Sequence, residues 1–106
     1  MKGPIKSVLA EELQNSLRMK KGYEKALRSL PSGCLARRVI RGNEYYYLAR
    51  KKRGKVHFEY RGKISKDDIK RYAQAKQDRA RYRHLLSRVK KQIKFLKGAL
   101  RGKEAI

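Results

Sequence analysis

Apolar residues in the first thirty positions recur with the spacing of a helix, mostly at intervals of four. Such a period places them on one face of an α-helix. Pro4 suits the first turn of that helix, Gly22 could bend or divide it, and Pro31 ends it. We therefore predict a helix over residues 4–30. Its apolar face consists of Ile5, Leu9, Leu13, Leu17, Tyr23, Leu27 and Leu30.

Residues 34–63 change to the pattern of β-strands. Three runs there are rich in β-branched and aromatic residues, which favour strands. The pairs Gly42-Asn43 and Arg53-Gly54 separate the runs, and both are typical of hairpin turns. Residues 56–60 alternate between apolar and polar side chains, which gives the third run one face of each kind. We predict a three-stranded antiparallel meander with strands at 34–41, 44–52 and 55–61.

The rest of the chain has the pattern of one long helix. Ser65 is a good N-cap, and the acidic pair Asp67-Asp68 suits the first turn. Apolar positions then step alternately by three and four, which forms a heptad-like seam that Arg79 interrupts. We predict a helix over residues 65–101, about 50 Å long. The seam consists of Tyr72, Ala75, Arg79, Tyr82, Leu86, Val89, Ile93, Leu96 and Leu100.

These elements predict an α+β protein that forms a single domain over residues 1–106. The meander is too small to cover the long seam, so we expect the two helices to pair antiparallel, as in a coiled coil. A homodimer through the Leu86–Leu100 part of the seam is a further expectation. The sequence has no apolar run of transmembrane length and no signal peptide, so we expect a cytoplasmic protein.

Net charge is the feature of the sequence that bears most on its function. The chain has 31 Lys and Arg against 9 Asp and Glu, a net charge of +22. Solubility needs only a few units, and the excess repels itself in a compact fold. The usual polyanion that offsets such charge is nucleic acid. An anionic membrane surface is an alternative, because the last predicted helix is partly amphipathic.

Six basic residues of the last predicted helix align as one stripe, about a quarter-turn from the seam. A solvated helix face normally interleaves Glu with Lys, and this region has almost no Glu. We therefore predict that this basic stripe contacts backbone phosphates. Its members are Lys76, Arg83, Lys90, Lys94, Lys97 and Arg101.

A second basic cluster, the hairpin tip, lies on the predicted turn between strands two and three. Its charges repel one another unless they meet an anion, so we predict that it contacts a nucleic-acid backbone or groove. A solvated turn is the alternative. Three arginines of strand one could read guanine edges or hold phosphates. The tip residues are Arg50, Lys51, Lys52, Arg53 and Lys55, and the strand residues are Arg37, Arg38 and Arg41.

Three consecutive tyrosines, Tyr45, Tyr46 and Tyr47, place rings on both faces of predicted strand two. One face has to pack against a helix, so at least one ring belongs to the core. A ring on the other face could stack on an unpaired base, as in proteins that bind RNA or single strands. Packing within the sheet is the alternative for each ring.

The sequence gives no basis for an enzyme. Asp67 and Asp68 are adjacent on a helix and point in different directions, while His57 and His84 each stand alone. The single cysteine, Cys34, excludes an intrachain disulfide and is more typical of a small core residue than of a nucleophile. Neither metal-ligand spacing nor a phosphate-binding glycine loop is found. We expect no catalytic residue, no metal and no cofactor.

Three motifs carry a resemblance to known proteins: LPSG at 30–33, IRGNEYYYL at 40–48 and YRGK at 60–63. In these the chain resembles a family of small basic prokaryotic and phage proteins of unassigned function, in which a strand meander precedes a long helix. A similar strand pattern occurs near the N-termini of some transposases. The resemblance implies this architecture, a bacterial, archaeal or phage origin, and DNA in preference to ribosomal RNA.

The expected function is non-enzymatic binding of DNA through its phosphates, in a prokaryotic regulatory, mobile-element or defence-related role. An RNA-binding protein of ribosomal type fits the charge and size almost as well. A third alternative is a basic interaction module, such as an antitoxin or inhibitor, that covers an acidic protein partner.

Overall fold

A computed structural model describes residues 4–104 of the 106-residue chain. Helix, three strands and helix follow in that order, which confirms the predicted α+β class. The bounds differ from the predicted ones by three residues at most. The elements are α1 Pro4–Ser29, β1 Cys34–Ile40, β2 Asn43–Lys52, β3 Lys55–Gly62 and α2 Lys66–Glu104.

The chain divides into two compact units, and α2 contributes to both. The helical unit consists of α1 and the part of α2 that begins at residue 81. The sheet unit consists of residues 30–80, which include the three strands and the first part of α2. The single domain that the chain length predicts stays a prediction.

The helical unit buries the predicted seam of α2. Val89, Ile93 and Leu96 are all buried, and Tyr23 of α1 lies against Tyr82 with ring centroids 6.2 Å apart. This burial occurs within a single chain, so a second copy would find the middle of the seam already covered. The coiled-coil pairing of the two helices stays a prediction.

Ser16 lies in the middle of the apolar face of α1, and only 1% of its surface is exposed. Its hydroxyl has no hydrogen-bond partner. Burying such a group costs on the order of 1–3 kcal/mol. The apolar pattern missed this core position because serine is polar, although it has the angular position of the leucines around it.

Gly22 neither divides α1 nor packs against a neighbour. The helix continues through it, and a Cβ there would have no atom within 4 Å. A glycine inside a helix costs about 0.5–1 kcal/mol relative to alanine. Gly22→Ala is therefore expected to raise the free energy of unfolding by about that amount, as measured by urea denaturation followed by circular dichroism. A loss of stability instead would contradict a regular helix at this position.

The sheet unit has two tight hairpin turns of the same kind. Arg41 and Gly42 have φ angles of 52° and 79°, and Arg53 and Gly54 have φ angles of 52° and 78°. Positive φ at both central residues defines the type I′ turn, whose twist matches that of paired strands. The second turn lies where the sequence predicted it. The first lies one residue earlier than predicted, so that Asn43 begins β2.

The strands form an antiparallel sheet in the order β1-β2-β3, and one face of that sheet carries the core. Leu48 is fully buried there, Tyr46 is 8% exposed, and Leu35 lies opposite Leu48 across the β1–β2 pair. Leu35 and Tyr72 of α2 line one small hollow, which places α2 beside this face. The other sheet face is exposed.

Two polar contacts position the first part of α2. The Ser65 hydroxyl accepts a hydrogen bond of 3.1 Å from the Asp68 amide, which confirms the predicted N-cap. Arg79, the basic interruption of the seam, is half-buried, and its Nη2 donates to the Pro31 carbonyl oxygen at 2.6 Å. Its Nη1 lies 3.9 Å from the Cys34 sulfur. Arg79 therefore satisfies a backbone acceptor at the turn before β1 and belongs to the fold.

Candidate nucleic-acid interface

The basic stripe lies on the exposed side of α2. At 100° per residue, its members fall within an arc of about 60° around the helix axis. Five of them belong to the helical unit and span about 27 Å along the axis. Lys76, the sixth, is also exposed and lies in the first part of α2. The five are Arg83, Lys90, Lys94, Lys97 and Arg101, and all are exposed.

The part of α2 that carries most of the stripe has no acidic residue in its sequence. Residues 81–102 contain eight Lys and Arg and no Asp or Glu. Among the side chains of residues 5–102, which the structure describes, two ion pairs form: Arg37 with Glu44 at 2.9 Å and Arg61 with Glu59 at 3.4 Å. Both belong to the sheet. The positive charge on this part of α2 is therefore not offset by any ion pair in the described chain.

The hairpin tip is exposed from Lys51 to Lys55. Lys52 and Lys55 lie directly opposite each other across the β2–β3 pair. Like charges at directly opposite positions destabilise a sheet. The tip thus carries two lysines at directly opposite positions, at a cost in stability that an anion bound at the tip would offset.

Arg50 departs from the prediction for the hairpin tip. Its side chain is half-buried, and its Nε is buried with no hydrogen-bond partner. A Cβ on Gly33 would lie 3.0 Å from the Arg50 Cγ, so the stem of Arg50 packs over Gly33. Side chains alternate along a strand, and this one points to the buried face, away from Lys51. Arg50 is therefore not part of the exposed tip, and the prediction that included it was wrong at this residue.

The three arginines of β1 and its turn have different surroundings. Arg37 is engaged by Glu44, on the same sheet face as Tyr46. The guanidinium carbon of Arg38 lies 6.0 Å from the centroid of the Tyr47 ring, on the opposite face. Arg41 occupies the first turn and is exposed. Neither Arg38 nor Arg41 forms an ion pair with a side chain that the structure describes, whereas binding a phosphate at Arg37 would compete with an existing ion pair.

The three tyrosines divide between the sheet faces as predicted. Tyr46 is the core ring. Tyr45 and Tyr47 lie on the other face and are half-buried, and both pack against Tyr60 of β3 with ring centroids 6.4 and 5.3 Å away. Tyr46 is therefore unavailable for base stacking, while Tyr45 and Tyr47 belong to an aromatic cluster on the surface.

That exposed face of the sheet, here called the open face, carries mostly apolar side chains. Cross-strand pairing brings Tyr47 opposite Tyr60, Ala49 opposite Phe58, and Lys51 opposite Val56. Sequence alternation predicted the apolar side of β3, and the structure leaves that side uncovered. The large apolar side chains of the open face are Ile40, Tyr45, Tyr47, Val56, Phe58 and Tyr60.

Other functional chemistry is sparse in the described chain. The side chains described, those of residues 5–102, include no group of three or more His, Cys, Asp or Glu placed to hold a metal ion. Cys34 is a free, half-buried thiol, and His57 and His84 are both exposed. No helix within residues 4–104 is long and apolar enough to cross a membrane.

The chain matches no protein-family model, no curated protein and no solved structure.

Proposed function

We propose that this protein is a non-enzymatic nucleic-acid-binding protein that binds DNA mainly through its phosphates. One observation carries the proposal: the basic stripe of α2 is exposed and has no acidic partner in the described chain. Each lysine or arginine that meets a phosphate releases condensed counterions, and this release drives binding without regard to base sequence. The hairpin tip supplies a second group of such residues.

The dimensions of the stripe support phosphate contact. Arg83 and Arg101 are separated by about 27 Å along one regular helix. Duplex DNA carries about one phosphate for every 1.7 Å of its axis, so a face of that length meets several phosphates at once. The residues between these two recur at intervals of three, four and seven, which keeps all of them on the same side.

The biological setting follows from the resemblance to small basic prokaryotic and phage proteins. We propose a regulatory, mobile-element or defence-related role in the cytoplasm of a prokaryotic cell. A homodimer is compatible with DNA binding only through a surface other than the Leu86–Leu100 seam, because the middle of that seam is buried within the chain.

RNA binding of ribosomal type is the second candidate, and the aromatic pair of half-buried Tyr47 and exposed Tyr60 on the open face favours it. The test is fluorescence anisotropy at about 0.05 M salt with labelled duplex DNA, duplex RNA and single strands of one sequence, using protein purified at high salt. We expect duplex DNA to bind with a Kd in the micromolar range or tighter. If only RNA binds, RNA binding replaces the DNA proposal. Failure to bind any of them would overturn both and leave an acidic protein as the partner.

Removing one charge from the hairpin tip should lower the affinity for DNA without lowering the stability of the fold. Lys52→Ala removes a phosphate contact, so we expect affinity for duplex DNA to fall roughly eightfold near 0.1 M salt. The same change relieves repulsion with Lys55 directly opposite, so stability should stay constant or rise by a few tenths of a kcal/mol. Lys21→Ala on α1 is the control of equal charge. Unchanged affinity in Lys52→Ala would exclude the tip from the interface.

A further inference from the structure

The open face is an apolar surface that nothing in the described chain covers. Phe58 is 67% exposed and Tyr60 59% exposed, and Ile40 and Val56 are exposed by half or more. Soluble domains rarely leave a contiguous apolar patch of this kind uncovered, and such a patch with a polar rim typically marks an interaction site. This face is not part of the core, because the buried side chains of the sheet, Leu48 and Tyr46, lie on the opposite face.

Two open hollows lie between the aromatic side chains on this face. One, of about 310 Å³, lies between Ala36, Arg38, Tyr47 and Phe58. The other, of about 470 Å³, lies between Ile40, Tyr45, Tyr47 and Tyr60. Tyr47 is common to both hollows. Each hollow is therefore lined by at least two aromatic side chains and is open to solvent.

The charged residues of the strands that lie on the open face are all positive. Arg38 and Lys51 lie on it, and Arg41 lies at its first turn. The acidic residues of the strands, Glu44 and Glu59, pair across the sheet with Val39 and Leu48, which places them on the opposite face. A second copy of this chain is a poor occupant, because its own cations and net charge of +22 would repel those of the first copy. A planar, anionic occupant is complementary.

We propose that the open face binds unpaired nucleotides of a single strand. The bases stack on Phe58, Tyr47 and Tyr60, and Arg38 and Lys51 contact the phosphates beside them. Aromatic stacking beside basic residues is the general mode of single-strand recognition, and it tolerates any base because each has a flat π-face. Bases in a duplex are already stacked on one another, so they cannot use this face without unpairing. This inference rests on the proposed function and adds the form of nucleic acid that the sheet takes.

Phe58→Ala tests the proposal, with Phe95→Ala as the matched control. Both phenylalanines are exposed to a similar degree, 67% and 71%, but Phe95 lies on α2. We expect Phe58→Ala to weaken binding of an oligothymidine about tenfold and to leave duplex binding and its salt dependence unchanged. Phe95→Ala should change neither. Circular dichroism should show the same fold for both, because each side chain is mostly in solvent.

A fluorescent reporter gives an independent readout. The chain has no tryptophan, so the emission of a Phe58→Trp variant comes from position 58 alone. Tryptophan retains the stacking surface, and we expect oligothymidine to quench this emission and a duplex to leave it unchanged. A Phe95→Trp variant should show no quenching by either.

The outcomes separate the two proposals. If the wild type and Phe58→Ala bind oligothymidine equally, and oligothymidine does not quench the Phe58→Trp emission, the open-face site is overturned and phosphate binding stays intact. Sedimentation of the wild type as a dimer that Phe58→Ala dissociates would assign the face to a second copy and also overturn the site. No binding of any nucleic acid by the wild type overturns both proposals.

Discussion

Reversing two charges on the basic stripe is expected to weaken DNA binding about a hundredfold near 0.1 M salt. Lys90→Glu with Lys94→Glu removes two phosphate contacts and places two carboxylates where phosphates would lie. The slope of log K against log salt should become shallower by about two units, since each lost contact removes about 0.9. The loss should be similar for unrelated sequences, because phosphate contacts carry no base information.

The matched control for this variant is Lys21→Glu with Lys25→Glu on α1. This pair is also exposed, has the same spacing of four residues, and lowers the net charge by the same amount. If binding depends on total charge alone, the two double variants will lose affinity equally. If the stripe is the interface, the α1 variant will keep most of its affinity and nearly all of its salt slope. Equal losses would contradict the stripe.

Gly33→Ala is expected to have the largest effect on stability. Gly33 has a φ of 92°, and a Cβ there would lie 2.7 Å from the Ala49 carbonyl oxygen and 3.0 Å from the Leu48 Cδ1. Leu48 is fully buried and the carbonyl belongs to the β2 backbone, so neither has room to move. Positive φ costs a non-glycine residue about 1–2 kcal/mol, and overpacking adds about 1–3 kcal/mol. We expect a total loss of roughly 3 kcal/mol.

Gly42→Ala separates these two causes. Gly42 also has a positive φ, 79°, but a Cβ there would meet no atom within 4 Å. Its substitution should therefore cost about 1–2 kcal/mol from backbone strain alone. Urea denaturation followed by circular dichroism measures both variants. Equal losses for Gly33→Ala and Gly42→Ala would contradict the close approach of Gly33 to β2.

Local sequence patterns predicted the elements and their order well. The four-residue spacing in α1, the Ser65 cap and the Arg53-Gly54 turn each depend on residues close together in sequence. The first hairpin was misplaced by one residue because Asn and Gly both tolerate positive φ, and the pattern paired Gly42 with the wrong neighbour. The predicted helix ended at Arg101, whereas α2 continues to Glu104.

Long-range packing could not be predicted in the same way. Alternation shows that a strand has two faces, but Leu35, Tyr46 and Leu48 compete with Tyr47 and Phe58 for the core, and only tertiary structure decides. The sequence therefore identified the tyrosines without predicting that the aromatic side of β3 is the exposed one.

Charge patterning predicted part of the candidate site and missed the rest. The basic stripe depends only on helical periodicity, so its exposure agrees with the sequence. The burial of Arg50 and the ion pair of Arg37 depend on neighbours in space, Gly33 and Glu44. Arg79 carried one usable signal, since a basic residue within an apolar seam needs a buried acceptor.

The most direct test of phosphate binding is a salt titration of the wild-type protein on one duplex DNA. Anisotropy measured at several salt concentrations gives the slope of log K against log salt. Contacts from the stripe and the hairpin tip together predict a slope steeper than about −4, and a second, unrelated sequence should give the same value. A slope near zero, or no binding at low salt, would contradict phosphate binding as the function of this protein's charge.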